Sequence, residues 1–329
     1  MRTEFQTAHT LGEQLLSLAQ HTQDPAMLVV AHQALGATLF YLGETALAHT
    51  HLTQGMTLYD AQQHRTSAFL YGLDAGVSCR SYASWALWCL GYPDQGLTRC
   101  LEMVTFAHQM AHPYSLGYAL NTAAMLHQFR REVRVTQERA DAAIRLATDQ
   151  GFPFYVAFGS ILRGWALAQQ GQVQEGIEQL HQGMRAWRAT GAQHARLYWL
   201  ALLAEAHETL GEPEAGLTAL AEALTLTDTA GERWYESELY RLKGALLLQQ
   251  HIDHQVEAEA CFHKALDIAR NQQAKSLELR AATSLARLWQ QQGQRQEAHD
   301  LLAPVYGWFT EGFDTVDLQE AQALLDALA

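Results

Sequence analysis

The sequence is poor in most of the features that announce chemistry. Its four cysteines, Cys79, Cys89, Cys100 and Cys261, form no CxxC pair. That argues against a zinc ribbon or a disulfide scaffold and leads us to expect buried free thiols in a reducing compartment. Cations are scarce: 22 Lys and Arg stand against 35 Asp and Glu, for a formal charge of −13. Nucleic acid and anionic membrane both require clustered cations against phosphate, so neither is expected as a partner. No apolar run approaches the roughly 18 residues that span a bilayer. Residues 1–6 offer no apolar stretch ahead of a small-residue cleavage site, so we expect no signal peptide and a cytoplasmic location. The GxxxxGK[ST] phosphate loop, the GxSxG elbow and a GxGxxG after a strand are all missing, as is a metal-binding aspartate pair on a predicted strand. No enzyme and no cofactor is expected.

What the chain has instead is a period. Gly36, Ser84, Ala124, Gly164, Ala204, Gly244 and Ala286 follow one another at 48, 40, 40, 40, 40 and 42 residues. Seven positions after each, a helix is expected to stop, at Gly43, Gly91, Gly171, Gly211 or Gly293, with Arg131 and His251 in that place in two copies. Five residues further on comes a second small residue: Ala48, Gly96, Gly176, Gly216 or Ala298. Self-similarity of this length means stacked helix pairs. The turns carry their own punctuation. In Leu210-Gly211-Glu212-Pro213-Glu214, glycine takes the left-handed helix end, proline opens the next helix and acids follow to meet its positive end. Small residues at the helix crossings allow the close approach of about 8–10 Å that such pairs need.

The spacing predicts an all-α solenoid over residues 1–329. We expect a helix in 1–24, seven A/B pairs across 25–303 (25–42/45–60, 66–90/93–110, 113–130/133–150, 153–170/173–190, 193–210/213–229, 232–250/254–271 and 275–292/295–303), and a capping helix within 304–329.

The 7-then-5 spacing of small residues resembles the tetratricopeptide repeat (TPR), with units of about 40 residues in place of 34, so each helix would be about a turn longer. At the C-terminal end, Glu232-Arg233-Trp234-Tyr235-Glu236, Leu277-Glu278-Leu279-Arg280 and Val305-Tyr306-Gly307-Trp308-Phe309 look like the tail of bacterial proteins in which a class III adenylate/guanylate cyclase and a signalling ATPase precede a TPR array. The array of maltose-activator-type regulators is a more distant likeness. The resemblance implies a right-handed superhelix, bacterial in origin, that serves as a sensory or scaffolding module. Neither the cyclase nor the ATPase is present in this sequence.

In the TPR arrangement helix A lines a concave groove. Transferred here, this places Trp85, Trp88, Tyr118, Asn121, Met125, Phe158, Ile161, Trp165 and Tyr198 along the groove, and Glu205, Glu208, Glu238, Arg241, Arg280 and Arg287 towards its C-terminal end. The resemblance thus implies an aromatic groove that anchors a protein or peptide partner, with charges to orient it. A small-molecule sensor controlling an attached cyclase or ATPase is the alternative, and self-association through a terminal repeat a third. The aromatics could equally fill the interior of a tightened superhelix. Asn121 matches one position of the carboxylate-clamp repeats, but Ser81, Ile161 and Ala201 stand where the rest of the clamp would be, so chaperone tails are not expected. Among sixteen histidines, His108/His112, His49/His51 and His251/His254 have no third ligand at zinc-site spacing, and no metal is expected.

Overall fold

The computed structural model describes residues 4–61 and 72–329. Among them are sixteen α-helices and no strand. In chain order these are α1 (Phe5–Thr22), α2 (Pro25–Leu42), α3 (Thr45–Leu58), α4 (Ala75–Cys89), α5 (Pro93–Met110), α6 (Pro113–Phe129), α7 (Val133–Asp149) and α8 (Pro153–Gln169). They continue as α9 (Val173–Ala189), α10 (Arg196–Leu210), α11 (Pro213–Ala230), α12 (Glu236–Gln250), α13 (Gln255–Asn271), α14 (Lys275–Gln291), α15 (Arg295–Tyr306) and α16 (Val316–Leu328). Even-numbered helices from α2 to α14 are the A helices, and each packs against the B helix that follows it.

The helix starts follow from local chemistry. Proline occupies the first turn of α2, α5, α6, α8 and α11, where a missing N–H is harmless. The Asp24 carboxylate caps α2 by accepting from the Ala26 and Met27 amides at 2.9 and 3.2 Å. All seven periodic small residues are buried.

Several expected boundaries need correction. The second A helix begins at Ala75 rather than residue 66, because Asp74 accepts from the Val77 amide at 2.9 Å and caps it there; residues 66–71 lie outside the described residues. Helices α10 and α12 start three and four residues late, the segments before them being held by tertiary contacts instead. Pro304 lies inside α15, which runs on to Tyr306. Contrary to the expectation of no membrane-length segment, α2 is long and apolar enough to cross a bilayer by length and composition, with a mean hydropathy of 1.4. Its apolar character is spent on packing against α1, α3 and α4.

The superhelix is wound tightly enough that successive turns touch. Carbonyls in the last turns of three A helices, which have no partner within their own helix, receive donors from far along the chain. The Arg233 amide donates to Tyr41 O at 2.7 Å, Ser276 Oγ to Trp88 O at 2.6 Å, and the Arg280 guanidinium to Phe129 O at 2.6 Å. The C-terminal segment closes the same seam. Trp308 lies against Gly91, and Glu311 accepts from the Asp94 and Gln95 amides at 3.0 Å each.

Candidate functional site

Among the described residues the expected groove aromatics line no groove; they fill the superhelix axis. Trp85, Trp88, Asn121, Met125, Phe158, Ile161, Trp165 and Tyr198 are all buried, and Tyr118 is half-buried. Phe40 and Trp234, from opposite halves of the chain, approach to 5.0 Å between ring centroids, Trp88 and Phe129 to 4.9 Å, and Tyr198 and Trp234 to 5.4 Å. Two of the rings commit their polar atoms internally: Trp85 Nε1 donates to Thr122 O at 3.1 Å and Tyr198 Oη to Gln128 Oε1 at 2.6 Å. The Asn121 amide donates to Gly117 O at 2.9 Å. With seven long pairs coming round to meet themselves, the concave face has no free radius left at its aromatic centre, and burying these rings is favourable at about 25 cal/mol per Å². Phe158 packs edge-on against Trp187 on its own B helix and Trp199 on the A helix that follows.

The charged group does come together. Glu205 and Glu208 on α10, Glu238 and Arg241 on α12, and Arg280 and Arg287 on α14 line one polar cavity of about 260 Å³. Three further charges complete it: Arg131 from the α6–α7 turn, and Asp317 and Glu320 from α16. Arg241 donates to Glu238 at 2.9 Å. Arg280 reaches Asp317 at 2.8 Å and Glu238 at 3.5 Å, with its guanidinium 5.0 Å from the Trp88 ring centroid. Arg131 meets Asp317 at 3.3 Å and Glu320 at 2.9 Å, and Arg287 meets Glu320 at 2.9 Å. Trp165 Nε1 donates to Glu205 at 2.7 Å.

The electrostatics divide the cavity into two walls. Burial pushes the Glu238 carboxyl up, but Arg241 and Arg280 outweigh it and hold that carboxyl below its usual range. Burial likewise works against the charged forms of Arg241 and Arg280, and their carboxylate neighbours more than restore them. On α10 burial prevails: the Glu205 carboxyl is raised, with the Glu238 charge adding to the effect, and the Glu208 carboxyl is raised despite the field of Arg241.

Asp317 and Glu320 escaped sequence reasoning because nothing local ties α16 to the α6–α7 turn. Arg131 did leave a signal. It takes a left-handed φ of 59° where the sister repeats place glycine, so a side chain stands where the backbone favours none.

The sixteen helices of the described residues, in stacked pairs wound about a filled axis with a charged cavity at one end, define an all-α TPR-like solenoid. No protein-family model matches the chain. It is 23% identical over 290 residues to an uncharacterized protein of Rhizobium meliloti (strain 1021), covering 87% of this chain and 28% of that one; the chain thus spans little more than a quarter of the length of that curated relative. Among solved structures, aspartyl phosphate phosphatase F from Bacillus subtilis matches with a TM-score of 0.53 at 12% identity, over 88% of this chain and 73% of its own. A Rap protein complexed with competence and sporulation factor matches with a TM-score of 0.52 at 10% identity, over 99% and 96%. At these identities the likeness shows the fold.

Proposed function

We propose that this chain is a non-catalytic interaction module, a regulatory or sensory part of a larger cytoplasmic signalling protein, which takes a peptide or partner segment at the charged cavity. The cavity carries the reading. Its walls come from four A helices, the turn within one repeat and the C-terminal helix, so a ligand there would touch parts of the chain that are otherwise far apart in sequence. A solved structure of this fold, the Rap protein, holds a second molecule, and the short span relative to the curated relative supports a module within a longer chain. A peptide library displayed on phage and selected against the purified chain tests this. Selected peptides should bind the wild type and lose binding in Arg287→Glu, whose side chain is exposed at the rim. Equal binding to both proteins would remove the cavity from the reading.

A second reading, a small-molecule sensor acting on an attached cyclase or ATPase, is favoured by the size of the cavity, which is near the lower end of small-ligand sites at roughly 300 Å³. Occupancy would bias the closure between superhelical turns, and coupling of about 1–3 kcal/mol is typical of such links.

A further inference from the structure

We infer that the α10–α12 wall of the cavity receives an aliphatic ammonium group, carried by a free amine or by the lysine side chain of a partner. The inference rests on reading the cavity as the ligand site and names the chemistry that would enter it.

The argument is an accounting of charge. Each of the four guanidiniums has a carboxylate within ion-pair distance: Arg131 and Arg280 have two apiece, Arg241 and Arg287 one. The reverse does not hold. Glu205 and Glu208, three residues apart on α10, form no ion pair among the described residues, although the field of Arg241 reaches both. Glu205 accepts only the neutral indole N–H of Trp165 there. A third acceptor is also unspent. Glu238 is 1% exposed, it lines the cavity, and its Oε2 has no hydrogen-bond partner among the described residues. A buried carboxylate oxygen without a donor is costly, so native proteins seldom leave one.

One donor, Arg241 Nε, is likewise without a partner among the described residues, so the surplus lies in charge: it is negative. Five carboxylates face four guanidiniums, and the unpaired ones share a wall. An alkylammonium brings three donors and one positive charge in a compact group, which suits such a wall. A metal ion suits it less, because no three candidate ligands converge on one point among the described residues. Ligand entry would favour the ionised carboxylates. The ligand itself stays protonated up to about pH 10, so affinity should rise with pH as Glu205 and Glu208 lose the protons that burial helps them keep. The same field includes Glu238 and Arg241 on α12, Arg280 and Arg287 on α14, Arg131 from the α6–α7 turn, and Asp317 and Glu320 on α16. The arginines are charged throughout that range, which leaves the α10 pair to set the trend.

Calorimetric titration of the full chain with cadaverine, and separately with lysine blocked at both ends, tests the assignment. We expect binding of at least one probe that tightens with rising pH. Glu208→Gln should weaken it about 10- to 100-fold, the usual cost of a charge-assisted contact. Glu208 makes no side-chain hydrogen bond among the described residues, so this variant should keep its fold, as circular dichroism would verify. Glu205→Gln, which can still accept from Trp165, gives a second variant. Cadaverine binding alone would assign a free amine; binding of blocked lysine would assign a partner's side chain. If neither probe binds, or if both variants bind as the wild type does, the assignment is overturned. Peptides from the library that bind without lysine and remain sensitive to Arg287→Glu would then leave the interaction module standing.

Discussion

At the scale of residues, Trp165 has its ring buried and its one polar atom bonded to Glu205. Replacing it with alanine removes packing from the axis and leaves that carboxylate without its donor. Trp165→Ala should therefore cost about 3–5 kcal/mol, the usual range for a buried tryptophan, read as a lower urea midpoint. Adding Tyr198→Ala should unfold the chain. A double variant that kept full helicity and lost only a ligand would restore the groove. Helical spacing does reveal that Trp85, Trp165 and Tyr198 share the inner face of their helices. Whether an inner face is groove or core depends on the radius of the superhelix, which no single residue encodes. The charged residues were legible for the opposite reason: Glu238, Arg241 and Arg280 occupy the same inner positions, but such groups are buried only when paired, and their pairing holds the cavity open.

At the scale of elements, the repeat rests on helices that touch through backbone. A Cβ built on Gly164 would lie 2.9 Å from both Gly176 O and Leu180 N, and one on Gly176 would lie 2.5 Å from Gly164 O. Neither neighbour is a side chain that could swing aside. Gly164→Leu should force α8 and α9 apart and destabilise by at least the roughly 1–3 kcal/mol of ordinary overpacking, measured by urea denaturation against the wild type. This crossing was readable from spacing because it is local: twelve residues separate the two glycines. The starts of α10 and α12 were not readable. Glu232 precedes α12 and accepts from the Ala195 amide at 3.1 Å and from Trp234 Nε1 at 3.0 Å. The bond to Ala195 spans 37 residues, and it draws the segment out of the helix that its periodicity suggests.

At the scale of the whole molecule, the superhelix closes on itself. Tyr41, Trp88 and Phe129 mark three successive A-helix ends, and each offers a carbonyl to a residue roughly one superhelical turn later. The C-terminal segment adds a cap supplied from a distance. Helix α5 has no side-chain cap of its own at Tyr92, and Glu311 accepts from its first amides across 217 residues. Glu311→Ala should cost about 1 kcal/mol, as loss of a local N-cap does. The contact of Gly312 N with Asp94 at 2.9 Å remains to hold the seam, so the change should be local. Hydrogen exchange should accelerate at the Asp94 and Gln95 amides and in the 307–315 segment, while the amides of α8 and α9 keep their protection. Unchanged exchange at Asp94 and Gln95 would mean that the seam is held elsewhere. Faster exchange there would show that Glu311 holds the seam. The charged cavity is tied to the same C-terminal region through Asp317 and Glu320, so a group seated in it would stabilise the closed turn by whatever it gains from contacts that only the closed form supplies.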